Sequence, residues 1–433
     1  MICDNISINK DGALEFAGQN TVDLAKKYAT PLYLLDEDRI RYNCRTYYNA
    51  MLEAYGEDNF AVLYASKANS FKKIYEIVNE EKLCIDVVSS GEIHTALKAG
   101  FPLSNAYFHS NNKTDEDVDY AIKNGIGYFV VDNEEELYVI DEVAGKYNVK
   151  QNILLRLTPG IDTHTYEAVN TGKVDSKFGT AIETGQAKKI VAKTLNFNNI
   201  NLSGFHCHIG SMVFDSDTFL RGAEIMLQFI TDMYKEYGFV TEQLDLGGGY
   251  GVRYVDTDGT IDIRENILQV ADYIKAESKK LGIKMPKVLL EPGRSIVADA
   301  GMTLYTVGTV KRITGYKNYV SIDGGMTDNP RYALYQSEYT LFNAGKADKE
   351  ASLKCDVVGR CCESGDIIQP DVMLPETERG DIIAVCTTGA YNYSMASNYN
   401  RIPRPPIVAV KGNEKKVIVK RETYDDIIKN DVL

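Results

Sequence analysis

Eight short apolar segments, each followed by a residue able to do chemistry, constrain this chain more than any other feature. Strands are expected near 59–64, 83–87, 106–109, 127–131, 152–157, 202–206, 243–246 and 287–291. Helical patterns fill the gaps, for example over 70–82, 90–99, 114–124, 134–147, 216–237 and 264–281. Such alternation builds a parallel sheet, either open and doubly wound or closed into a barrel. The residues at the strand ends separate the two. An open sheet gathers its site at one switch point. Here Lys67, Asp86, His109, Asp132, Arg156, His208, the glycines after Asp245, and Glu291 follow successive strands. A closed (β/α)8 TIM barrel brings eight C-terminal strand ends around one centre.

The chain has 433 residues, too many for one ordinary compact core. The expected class is α/β, with the barrel over residues 36–294. Ile40, Cys44, Tyr47, Met51 and Tyr55 recur at helical steps, and Asp36 stands where an N-cap belongs. From about 295 the pattern turns to strands, as in 302–307, 319–322 and 382–385. Residues 1–35, with the strand-like 32–35, are too short to fold alone. They are expected to join 295–433 in a second, mainly β domain.

The net charge of −13 argues against nucleic-acid binding, which needs a positive face. No run of about 18 apolar residues suggests a membrane span. Met1 to Ile6 lack a basic segment leading into an apolar core, so no signal peptide is expected. The eight cysteines follow no disulfide framework and fit reduced thiols in a cytoplasm. No metal site is expected: in His206-Cys207-His208 the thiol faces away from both imidazoles, and no second ligand pair stands at zinc spacing.

Lys67 ends the run Phe60-Ala61-Val62-Leu63-Tyr64-Ala65-Ser66-Lys67. Burial at a strand mouth favours a neutral amine, which can form a Schiff base with an aldehyde cofactor. After the seventh strand, Gly247-Gly248-Gly249 removes three Cβ atoms, so backbone N–H groups can approach an anion. Glu291-Pro292-Gly293-Arg294 follows the eighth. In barrels these two loops often form a phosphate site, and Arg294 adds charge-assisted hydrogen bonds. Read singly, each is also an ordinary glycine turn. Glu291 needs a cationic partner, either a structural arginine or a protonated pyridine nitrogen. His208 can stack on an aromatic cofactor, with Ser211 in reach of a phosphate. Arg331 and Tyr335 lie in a turn-rich loop and could hold a substrate carboxylate, although spacing alone favours a solvated loop. Cys362-Glu363 puts a thiol beside a carboxylate, where an inert buried cysteine is the commoner case, and Tyr391 opens an aromatic loop running to Arg401, an interface or pocket rim or else a plain surface loop.

With these segments on the page, the chain resembles the alanine racemase–ornithine decarboxylase class of pyridoxal-phosphate enzymes, and within it the diaminopimelate decarboxylases. Tyr64-Ala65-Ser66-Lys67-Ala68-Asn69 matches the cofactor-lysine motif. His206 to Ser211, Gly247 to Gly249 and Glu291 to Arg294 match the cofactor-site motifs, and Cys362 to Asp366 and Gly389-Ala390-Tyr391 match segments that complete the site. The resemblance runs nearly end to end. It implies decarboxylation of meso-2,6-diaminopimelate to L-lysine, with Lys67 carrying pyridoxal 5'-phosphate. By the same resemblance Asp86, His208, Ser211, Gly248, Gly249, Glu291, Gly293, Arg294 and Tyr391 contact cofactor. Arg294, Arg331, Tyr335, Glu363 and Tyr391 contact substrate. Cys362 is implied as proton donor to the other subunit of a homodimer. Met212, Tyr332 and Cys361 depart from the family pattern without removing a catalytic group. Decarboxylation of a related basic amino acid (D-ornithine, D-lysine or carboxynorspermidine) is the alternative, and racemisation a weaker one. Glu363 suits a distal ammonium and Arg331 a distal carboxylate, which together favour diaminopimelate.

Overall fold

The computed structural model describes residues 1–161 and 176–433. Its contacts divide the chain into two units: Asn43–Gly251 with Gly259–Gly293, and Met1–Tyr42 with Val252–Asp258 and Arg294–Leu433.

The first unit is a closed parallel barrel. Its strands are β1 (Phe60–Ala65), β2 (Cys84–Val87), β3 (Ala106–Phe108), β4 (Tyr128–Val131), β5 (Gln151–Thr158), β6 (Ile200–His206), β7 (Gln243–Asp245) and β8 (Lys287–Leu290). Each pairs with the next in parallel. β8 returns to β1 through Val288 opposite Phe60 and Leu290 opposite Val62. All six residues of β1 are buried, as expected of a strand covered on both faces. Ala61, Leu63, Tyr107, Val130, Leu154 and Leu289 pack as one apolar cluster contributed by five strands. Local chemistry sets the helix ends. Thr114 and Asp117 form a reciprocal capping box, and Asn133, Asp215 and Asp262 each cap the helix that follows them. Gly238 and Gly282 end the two longest barrel helices in left-handed conformation, at φ 66° and 71°.

The long helix Glu37–Tyr55 carries the unit boundary within it. Its apolar face is buried as the periodicity predicts, and Asp36 Oδ1 accepts the Arg39 backbone N–H at 3.0 Å. The second unit is built on one large sheet. Gly301–Ile313 lies at its centre, antiparallel to Leu32–Asp36, Lys317–Ile322 and Ile382–Cys386. Ile407–Lys411 pairs in parallel with Leu32–Asp36, so that N-terminal strand sits between two C-terminal ones.

Candidate active site

In the barrel unit, strand ends deliver the predicted side chains to one rim. Lys67 differs from expectation. β1 stops at Ala65, and a 3-10 turn over Ser66–Ala68 follows. The turn buries Ser66 and Ala68 but leaves Lys67 exposed. The strand-mouth burial expected for its amine is therefore not observed. Its positive charge still reaches inward, acting against the acid form of Asp86 and the protonated form of His208.

Glu291 follows β8 and is 7% exposed. Its Oε1 lies 2.6 Å from His109 Nε2, and its Oε2 lies 3.2 Å from His206 Nε2. Burial alone would raise the Glu291 pKa, but these imidazoles outweigh it and hold it well below the usual carboxylate range. Its neighbours go the other way. Burial raises Asp86 despite the nearby His109, and burial with the Glu291 charge pushes Asp245 well up. The floor thus supports one ionised carboxylate among acids that favour their protons. His206 is pushed down to about 4 by desolvation. His109, His206, Asp245 and Glu291 bring one ligand atom each within 4.8 Å of one another.

His208 is held neutral, first by desolvation and then by Lys67 and Arg156. Its Nδ1 accepts the Gly248 N–H at 3.3 Å, which orients the ring. A Cβ on Gly247 would lie 2.7 Å from the Cys207 carbonyl oxygen and from His208 Nδ1. On Gly248 it would collide with the Glu291 carbonyl, and on Gly249 with that of Gly210. The glycines therefore let the β6, β7 and β8 loops interlock, beyond offering N–H groups to an anion. A Cβ on Gly293 would meet that of Ala65 at 2.8 Å, which draws the β8 loop against the lysine turn. Ser211 is half-buried beside Met212, whose φ of 62° is unusual for a side chain of that size.

Both oxygens of Asp86 are buried without a hydrogen bond among the described residues. Leaving such acceptors unmet costs roughly 1–3 kcal/mol each. A ring bearing a protonated nitrogen supplies a donor to this carboxylate cluster. The residues present therefore fit pyridoxal phosphate.

The second unit holds the other predicted residues in two groups. Arg294 donates to Tyr254 Oη at 3.0 Å and lies 4.7 Å from the Tyr391 ring centre. Arg331, at the start of a short helix Arg331–Tyr335, stacks 4.5 Å from the Tyr254 ring and donates to Tyr339 Oη at 3.1 Å. Among the described residues no carboxylate pairs with Arg331, although it is only 5% exposed. A buried cation surrounded by phenols is prepared for an incoming anion. Tyr335 is half-buried at the helix end. Sequence reading missed Tyr254 and Tyr339. Burial raises the Tyr254 phenol pKa, but Arg331 and Arg294 outweigh it and pull it below 10.0. Its one local signal is a position just after the glycine turn.

Cys362 and Glu363 form the second group, and both are exposed. Buried Asp366 braces their loop, accepting the Met326 N–H at 2.6 Å and the Cys361 N–H at 2.7 Å. Asn400 Oδ1 accepts the Cys362 N–H at 2.8 Å. The thiol is thus presented outward on a fixed backbone.

Comparison with known proteins identifies relatives in sequence and in fold. Residues 38–298 match the family described as pyridoxal-dependent decarboxylase, pyridoxal binding domain. A diaminopimelate decarboxylase of Bacillus subtilis is 42% identical, over 98% of this chain and 96% of its own. One of Staphylococcus aureus is also 42% identical, over 98% of this chain and 99% of its own. A crystal structure of diaminopimelate decarboxylase from M. jannaschii in complex with L-lysine superposes with a TM-score of 0.89 at 33% identity, covering 99% of this chain and 98% of that one. No described helix is long and apolar enough to cross a membrane. The chain belongs to the diaminopimelate decarboxylase family of pyridoxal-dependent decarboxylases.

Proposed function

We propose that this protein decarboxylates meso-2,6-diaminopimelate to L-lysine with pyridoxal 5'-phosphate, in the cytoplasm, as a homodimer. One observation carries the reading. Lys67, the triple-glycine turn and Glu291 follow β1, β7 and β8 of a chain that matches diaminopimelate decarboxylases over nearly all its length.

Lys67 Nζ would hold the cofactor covalently. Gly248, Gly249, Ser211, Gly293 and Arg294 would take its phosphate. His208 would cover the ring face, Glu291 and Asp86 would meet the ring nitrogen, and Tyr391 would lie close by. When bound, the cofactor supplies an electron sink for the electron pair left by departing carbon dioxide.

The chain's own residues orient and protonate. Arg331, buried without a carboxylate partner among the described residues, would clamp the substrate's distal carboxylate, with Arg294, Tyr335 and Tyr391 assisting. Glu363 would take the distal ammonium. That pairing favours a substrate carrying both groups at its far end over ornithine, lysine or carboxynorspermidine. Cys362 Sγ would deliver the proton that replaces the lost carboxylate. Both Cys362 and Glu363 are exposed in their own chain, which suits service to the site of a second copy. Racemisation would need a second base in place of this thiol acid.

Carbon dioxide release from a panel of meso-diaminopimelate, D-lysine, D-ornithine and carboxynorspermidine tests the reading. Release from diaminopimelate, at a kcat/KM at least a hundred-fold above the others, is expected. Preference for another member would overturn the substrate assignment.

A further inference from the structure

The carboxylate of Glu291 is gripped from two sides by groups to which the reading above assigns no role. His109 follows β3 and His206 ends β6, so two separate parts of the barrel converge on the residue after β8. Each imidazole meets a different oxygen, at 2.6 Å and 3.2 Å. The two rings pack edge to face with centres 4.8 Å apart. All three side chains are buried. An ionised carboxylate can only accept, so the Nε2 atoms facing it carry protons. The remaining His206 nitrogen, Nδ1, has no hydrogen bond among the described residues. The other charged groups around this cluster are Asp86, 3.9 Å from His109 Nε2, together with Asp245 and Arg156. Asp86 makes no hydrogen bond among the described residues. Asp245 accepts the Gly247 N–H on Oδ1 at 2.8 Å and also hydrogen-bonds the Glu291 carboxylate, so the imidazoles share that carboxylate with one protonated acid.

We propose that His109 and His206 are positioning residues that fix the Glu291 carboxylate, as an anion, in the direction of the cofactor's ring nitrogen. The site thereby selects a cofactor whose ring carries a nitrogen that can be protonated. This rests on the proposed pairing of Glu291 with that nitrogen. The histidines touch neither substrate nor reacting atoms in this account. They act through Glu291.

The experiment measures binding of two ligands to the apoprotein. One is pyridoxal phosphate, and the other is its 1-deaza analogue, with carbon in place of the ring nitrogen. The proteins are wild type, His109→Leu, His206→Leu, His109→Gln and His206→Gln. Glutamine places an amide N–H near the position of Nε2. Each leucine variant is expected to bind pyridoxal phosphate about ten- to hundred-fold more weakly, the range for a lost hydrogen bond to a charged group. Binding of the deaza analogue should stay within two- to three-fold of wild type, and the glutamine variants should recover most of the loss. Parallel weakening toward both ligands would mark a packing role and overturn the inference. Unchanged pyridoxal phosphate binding in both leucine variants would also overturn it while leaving the Glu291 pairing intact. A wild type that binds both ligands equally would instead remove the pairing itself.

Discussion

The floor of the site, at the barrel's rim, and the Cys362 loop solve opposite problems. On the floor, Glu291, His109, His206, Asp86 and Asp245 are all buried, and their surroundings hold Glu291 toward its ionised form and His206 toward its neutral one. On the loop, Cys362 and Glu363 are exposed, and what is fixed is the backbone, through Asp366 and Asn400. Burial makes electrostatics strong and unforgiving, which suits tuning a cofactor held for the life of the enzyme. Exposure keeps a thiol available to a second copy of the chain, as the proposed homodimer requires. The contrast teaches that the two halves of the proposed chemistry, electron withdrawal and proton return, depend on different kinds of order.

The largest effect should come from the loop. Cys362→Ala is expected to lower turnover about 10²- to 10⁴-fold, the usual range for a positioned general acid, with the cofactor's visible absorbance unchanged. Mixing that variant with Lys67→Ala protein should restore part of the activity, because in the proposed homodimer a mixed pair would hold one intact site. Loss of cofactor absorbance in Cys362→Ala would erase the distinction between the regions. A smaller effect is expected at Arg331. Arg331→Leu should raise KM for diaminopimelate about ten- to hundred-fold with cofactor binding intact, which titration and steady-state kinetics together can read. An unchanged KM would remove Arg331 from the substrate.

The smallest effect is on stability, and it belongs to the floor. His206 has its pKa lowered from 6.5 to about 4, so between those values the unfolded chain binds a proton that the folded chain refuses. Stability contributed by neutral His206 is therefore present above pH 6.5 and is lost as pH falls toward 4. The slope approaches about 1.4 kcal/mol per pH unit, with a total of about 3 kcal/mol. His206→Gln should flatten that dependence in apoprotein melting curves by up to one proton. An equal slope in the variant would mean another group carries it.

Much of this was legible from residue order. Each barrel strand reads as an apolar run closed by a polar residue, because both faces of a parallel strand are covered while its C-terminal end opens on the site. The strand positions and the motif residues after them follow from that rule. The exposure of Lys67 did not, because it depends on a three-residue turn that no periodicity marks. Nor did the grip on Glu291: His206 and Glu291 are 85 residues apart and meet only because the barrel closes. The Tyr254 contacts with Arg294 and Arg331 are equally non-local. Tyrosine after a glycine turn carries no sign of the cations it will meet.

The most direct test of the central claim is to reduce the cofactor-loaded protein with borohydride and map the modified residue by peptide mass spectrometry. A stable pyridoxyl-phosphate adduct on Lys67 is predicted. An adduct confined to another lysine, or none in a protein that still releases carbon dioxide, would contradict the account.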